Sequence, residues 1–207
     1  QTIGIIGGTG SGKSTLVSLI PRFYDASAGQ VCFFGQDVRK YRRKELRNQI
    51  GIVPQKAVLF AGTVRENMQW GKKDATDEEI WEALKTAQAE EFIRAKEGGL
   101  DANIEQGGRN LSGGQRQRLT IARALVKKPR VLILDDSASA LDYATDAALR
   151  KAIRQMEGAP TVFIVSQRTS SLMSADRILV LDDGEATGYG THEELLKNCQ
   201  TYREIYN

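Results

Sequence analysis

The sequence predicts an α/β fold: a mostly parallel sheet with a helical segment inserted into it. Two observations carry the prediction. The runs Val131-Leu132-Ile133-Leu134 and Val162-Phe163-Ile164-Val165 are apolar throughout, as expected of strands buried on both faces. Such runs alternate with stretches of helical periodicity, and strands alternating with helices imply a parallel sheet flanked by helices.

In chain order, strands are predicted at residues 2–6, 51–53, 131–134, 161–165 and 177–181. Helices are predicted at 13–20, 77–86, 112–126, 142–156 and 192–197. The third has Leu119, Ala122, Leu125 and Val126 at helical spacing. The fourth starts on an Asp cap, and the last follows Thr191 with Glu194 three residues on, a capping box. Residues 62–126 are mostly helical and lie between strand-bearing portions, so they are predicted to form a helical subdomain, with 1–61 and 127–207 forming the sheet domain. Pro129 marks the return to the sheet.

The 207 residues suit one domain with a subdomain, and 41% hydrophobic with 27% charged residues is ordinary for a globular protein. A net charge of +3 is too small to argue for nucleic acid, and none is expected as a partner. No apolar run approaches the ~18 residues of a membrane span. Cys32 and Cys199 match no metal or redox spacing, which fits a reducing cytosol. The chain starts on Gln1 and is at once strand-like, so a preceding segment with further N-terminal strands is expected.

Gly7-Gly8-Thr9-Gly10-Ser11-Gly12-Lys13-Ser14 fits G-x-x-x-x-G-K-[ST] between a predicted strand and a predicted helix, the context that a phosphate-binding loop demands. The glycines let backbone N–H groups turn toward phosphate oxygens, and the helix that follows points its positive end at the anion. Lys13 supplies a cation to the β and γ phosphates, and Ser14 a hydroxyl to Mg²⁺. Alone, this motif leaves ATPase, GTPase and kinase open. Leu111-Ser112-Gly113-Gly114-Gln115 is a second potential anion site, with a serine cap, two glycines and a helix start. Two such sites in one chain invite a sandwich, with nucleotide held between the phosphate loop of one domain and the serine-glycine loop of another.

With these motifs the sequence resembles the ATP-binding-cassette superfamily over essentially its whole length, and Leu111 to Gln115 resembles that superfamily's signature. Val53-Pro54-Gln55 resembles its glutamine loop, residues 131–135 its Walker B strand, and Ser139-Ala140-Leu141-Asp142 its dimer-contact loop. Residues 60–67 and 190–195 resemble the exporter branch, in which a membrane domain precedes this one on the same polypeptide. The resemblance implies a RecA-like core with ATP and Mg²⁺ bound at the cytoplasmic face of a membrane. It implies that Gly7, Gly8, Thr9, Gly10, Ser11, Gly12, Lys13, Ser14 and Thr15 hold the nucleotide, with Ser14, Gln55 and Asp135 around the metal. Ser112, Gly113, Gly114 and Gln115 then meet the ATP of a second nucleotide-binding domain, and Asp142 crosses that interface.

Two positions depart from the family pattern. Asp136 stands where the family has the Glu that orients the attacking water, and Gln167 where it has His. Asp keeps the charge but loses a methylene of reach, and Gln167 cannot carry a proton's charge. With Gln55 and Lys13, these are the candidate catalytic positions. Such paired departures resemble the degenerate half of a heterodimeric exporter. This chain's own phosphate loop is then expected to hydrolyse slowly, while its signature completes a competent site on a different partner. The alternatives are a regulatory nucleotide-binding module with negligible hydrolysis, or a soluble cassette ATPase acting on DNA or ribosomes.

The basic cluster Arg39-Lys40-Tyr41-Arg42-Arg43-Lys44 is expected to be a solvated segment balanced by Glu45 and the acidic residues 74–79. Phe23 and Tyr24 are expected to pack in the core or border a membrane-domain groove, and Trp70 and Trp81 to be packing residues. His192, the single histidine, is expected to be a cap-region residue.

Overall fold

A computed structural model describes residues 1–207. In chain order it contains β1 (Thr2–Gly7), α1 (Lys13–Ser18), β2 (Cys32–Phe33), β3 (Gln36–Asp37), α2 (Arg43–Asn48) and β4 (Ile50–Val53). Then come β5 (Gly62–Thr63), α3 (Val64–Gln69), α4 (Asp77–Thr86), α5 (Glu90–Arg94), β6 (Asn103–Ile104) and α6 (Gly113–Leu125). The chain continues with β7 (Val131–Asp135), α7 (Tyr143–Arg154), β8 (Thr161–Ser166), β9 (Arg177–Asp182), β10 (Glu185–Gly190), α8 (His192–Asn198) and α9 (Gln200–Tyr206).

The chain divides into two units. The first comprises Gln1–Ile50, Ile133–Asp136 and Thr161–Asn207. Its main sheet runs in the order β10-β9-β1-β8-β7, and β2 and β3 pair as a separate antiparallel ribbon. β1 pairs in parallel with both neighbours, so that Ile5 faces Val165 on one side and Leu179 on the other. This explains the apolar runs: Ile5, Ile6, Ile164, Val165, Ile178 and Val180 are all buried, as central parallel strands require. β10 runs antiparallel to β9, joined to it by the turn Asp183-Gly184, both residues at positive φ (46° and 79°). That is the two-residue hairpin geometry that Asp-Gly favours. α8 and α9 pack back on this hairpin. A Cβ on Gly188 would lie 2.8 Å from Cys199 Sγ, so only glycine lets the last helices settle there.

The second unit comprises Gly51–Leu132 and Ser137–Pro160. It holds α3 to α7, and the predicted helical segment 62–126 falls inside it. Thr63, Thr76 and Ser112 each start a helix with a reciprocal capping box, to Glu66, Glu79 and Gln115. Val64, Met68, Ile80, Leu84, Ile93 and Leu119 are fully buried and supply its core.

Several readings need correction. Trp70 is 70% exposed, with its ring against Phe60 at 4.9 Å between centroids. Phe23 and Tyr24 are exposed and do not pack in the core, Phe23 lying under the Arg47 guanidinium; the expectation that they border a membrane-domain groove is untouched. Glu79 pairs with Lys72 and Asp77 with Arg65, while Arg39 pairs with Asp37 and Arg42 with Glu45. His192 is a cap-region residue as expected, the first of α8 after the Thr191 cap, and its Nδ1 also lies 2.7 Å from the buried Tyr202 hydroxyl.

Candidate functional site

β1 delivers the chain into the loop 8–12, and α1 begins at once with Lys13. A Cβ on Gly7 would collide with the Leu181 carbonyl oxygen and Ser11 Oγ, so the loop can leave the sheet this tightly only through glycine. Lys13 is 8% exposed and curls back over the loop. Its Nζ donates to the carbonyls of Gly7 and Gly8, both at 2.8 Å, and to Ser11 Oγ at 3.4 Å. Burial pushes the Lys13 ammonium below its usual range, with Asp135 and Asp136 opposing that shift. The result is a buried cation held by two loop carbonyls and a hydroxyl.

Asp135 closes β7, and its Oδ2 accepts a hydrogen bond from Ser14 Oγ at 2.9 Å. A hydroxyl and a carboxylate so placed suit a hard divalent cation. Ser14 and Asp135 would hold such a cation through one hydroxyl and one carboxylate. Asp136 follows in the left-handed region (φ 46°), its N–H donating to the Val165 carbonyl at 2.8 Å. Gln167 lies just past β8 and is exposed, while Ser166 beside it is buried and accepts from Arg168 N at 3.0 Å. The first unit thus gathers Lys13, Ser14, Asp135 and Asp136 around one loop.

The other predicted residues belong to the second unit. Gln55 is exposed after Pro54, just beyond β4. Ser112 caps α6, its Oγ accepting from Gln115 N and its N–H donating to Gln115 Oε1, both at 3.1 Å. Gly113 and Gly114 form the first turn, and a Cβ on Gly114 would sit 3.3 Å from the Ala140 carbonyl. The start of α6 and the loop 139–142 are therefore neighbours. Asp142 caps its own helix α7, accepting from Thr145 N at 2.9 Å and Thr145 Oγ1 at 2.7 Å. Those bonds hold its carboxyl below the usual range.

Two residues near these motifs escaped the sequence reading. Arg118 donates to the Gln88 carbonyl at 2.8 Å and to the Gly114 carbonyl at 3.3 Å, with its guanidinium 4.7 Å over the Phe92 ring. It braces the first turn of α6, and nothing in local sequence marks it. Gly184 was legible in principle through the Asp-Gly pair.

The ABC transporter family profile matches residues 1–139. An uncharacterized ABC transporter ATP-binding protein of Mycobacterium tuberculosis is 48% identical over 207 residues, 99% of this chain and 35% of its own length. One of Bacillus subtilis is 48% identical over 206 residues, 100% of this chain and 36% of its own length. Among solved structures, a bacterial Atm1-family ABC exporter with ATP bound superposes with a TM-score of 0.93 at 37% identity, over 98% of this chain and 36% of that one. The chain thus spans about a third of the length of these relatives. With a phosphate loop, a Walker B strand and a signature helix start all within a fold matched over nearly its whole length, the chain belongs to the ABC transporter family.

Proposed function

We propose that this chain is the ATP-binding and ATP-hydrolysing domain of an exporter, acting at the cytoplasmic face of a membrane. Its partners are a transmembrane domain and a second nucleotide-binding domain. The observation that carries the reading is the loop in which buried Lys13 and the Ser14–Asp135 pair converge. In binding, the γ-phosphate takes Lys13 Nζ over from the Gly7 and Gly8 carbonyls, so the cation moves from backbone oxygens to phosphate oxygens. Loop N–H groups and the N-terminus of α1 take the remaining charge. Ser14 and Asp135, with Gln55, would hold Mg²⁺, which when bound would supply positive charge against the phosphate oxygens. Asp136 orients the attacking water, and Gln167 donates an amide N–H toward the γ-phosphate.

This site hydrolyses slowly, because catalysis of phosphoryl transfer is almost entirely positioning plus electrostatics. Asp136 is one methylene short, and Gln167 carries no charge. Ser112 to Gln115, with Asp142 beside them, complete the site on the partner, whose own carboxylate drives turnover. Two sandwiched nucleotides stabilise the closed pair of domains, and hydrolysis at the competent site reopens it.

The test is phosphate release by the assembled transporter. Asp136→Gln is expected to leave most turnover intact, while removing the partner's carboxylate abolishes it. Equal loss from both substitutions would sink the asymmetric reading. A transporter with no turnover at all would make this chain a regulatory nucleotide-binding module.

A further inference from the structure

The phosphate loop does not hold its shape alone. Ser11 is 4% exposed, and its N–H donates to the Gly8 carbonyl at 3.2 Å. Its own carbonyl, however, is held from outside the loop. Gly184 N–H, in the β9–β10 turn more than 170 positions along the chain, donates to Ser11 O at 3.0 Å. The same turn brings Gly184 Cα within 3.8 Å of the space a Gly12 side chain would take. The hairpin reaches this place because β9 runs beside β1, with Leu181 opposite Gly7.

A trans peptide is planar, and its C=O and following N–H point in opposite directions. Fixing Ser11 C=O toward the hairpin therefore fixes Gly12 N–H away from it. Gly12 is the last loop residue before Lys13, where a phosphate-binding turn needs its amide aimed. We propose that the Asp183-Gly184 turn is a positioning strut for the phosphate loop, and that Gly184 sets nucleotide affinity without touching nucleotide. The inference rests on the nucleotide-binding reading above. It makes the C-terminal hairpin part of the binding machinery, although it lies outside every recognised motif.

Gly184 is a clean probe of this. It sits at φ 79°, where L side chains are strained, yet nothing lies within 4 Å of the position of its Cβ. A substitution there acts through backbone conformation and not through collision. Asn tolerates this region; a β-branched residue does not.

The experiment measures binding of a fluorescent ATP analogue to this chain, together with exchange of the Ser11 amide, which donates to the Gly8 carbonyl inside the loop. Gly184→Val is expected to weaken binding about tenfold, from the penalty for a left-handed conformation, and to speed Ser11 exchange. Gly184→Asn is expected to stay within about twofold of the unaltered chain on both readouts. If Gly184→Val does not fold, Gly184→Ala takes its place with a smaller effect of the same sign. A folded Val or Ala variant with unchanged Ser11 exchange overturns the strut, as does an Asn variant as impaired as Val. If the unaltered chain binds no ATP analogue, the nucleotide reading fails separately, and Ser11 exchange still decides the strut.

Discussion

Replacing Asp136 by Glu restores the missing methylene and sets two effects against each other. The gain is reach, about 1.5 Å along an extended side chain. Misplacement near 1 Å costs about 10²-fold in rate, or about 2.7 kcal/mol of barrier. The cost is conformational. Asp136 sits at φ 46°, where Asp is several-fold enriched over most residues, a preference of about 1 kcal/mol that Glu forgoes. If the strain is met in full at the moment of reaction, about 1.7 kcal/mol remains, close to a 20-fold gain. The expected outcome is thus a rise of about 10- to 100-fold in turnover at this site. The melting temperature is expected to fall by about 2–4 °C, as about 1 kcal/mol gives in a chain of this size. The assay is phosphate release by the assembled transporter with the partner's own carboxylate removed, so that only this site is counted, beside a thermal melt of this chain. A melt that falls as expected with an unchanged rate would refute the argument that reach limits this site.

Other outcomes follow from the same geometry. Gln167→His combined with Asp136→Glu is expected to turn over faster than Asp136→Glu alone, checked in the same assay. Because burial lowers the Lys13 pKa, nucleotide affinity is expected to fall as pH rises at a pH below the ordinary value of 10.5, read by titrating binding in alkaline buffers. Over that interval the unfolded chain holds the Lys13 proton more tightly, so this group's contribution to folding stability rises with pH, opposite in sign to the binding effect. Thr191→Ala removes the α8 cap and is expected to cost about 1 kcal/mol, a drop of about 2–4 °C in a thermal melt. Gly4→Ala would place a Cβ 3.1 Å from the Leu172 side chain, and is expected to destabilise by about 1–3 kcal/mol in urea unfolding.

What was legible in the sequence was whatever a strong local pattern encodes. β1, β7, β8 and β9 came within about a residue of their observed bounds, because strands buried on both faces leave no polar positions. α4, α6 and α8 announced themselves by their caps. β10 was missed because its residues, from Glu185 through Ala186, Thr187, Gly188 and Tyr189 to Gly190, are mostly exposed and poor in apolar side chains. It is a strand because β9 offers it an edge. α3 and α5 are short, at 6 and 5 residues, less than two full helical turns, and periodicity needs more than that. The phosphate loop and the signature were readable because each demands glycines at fixed offsets. The bracing of those motifs was not. Arg118 reaches Gln88, and Gly184 reaches Ser11, across chain distances that no local pattern records.

The two cysteines give this chain a built-in clock. Cys32 is exposed, whereas Cys199 is buried between α8 and α9, its Sγ donating to the Thr187 carbonyl at 3.7 Å. A thiol reagent meets Cys32 at once and Cys199 only when the C-terminal helices lift from β10. The ratio of the two labelling rates therefore reads the free energy of that local opening, without any added probe. Since β10 carries the turn that touches Ser11, labelling of Cys199 in the presence and absence of nucleotide would report how firmly a loop at one end of the chain grips helices at the other.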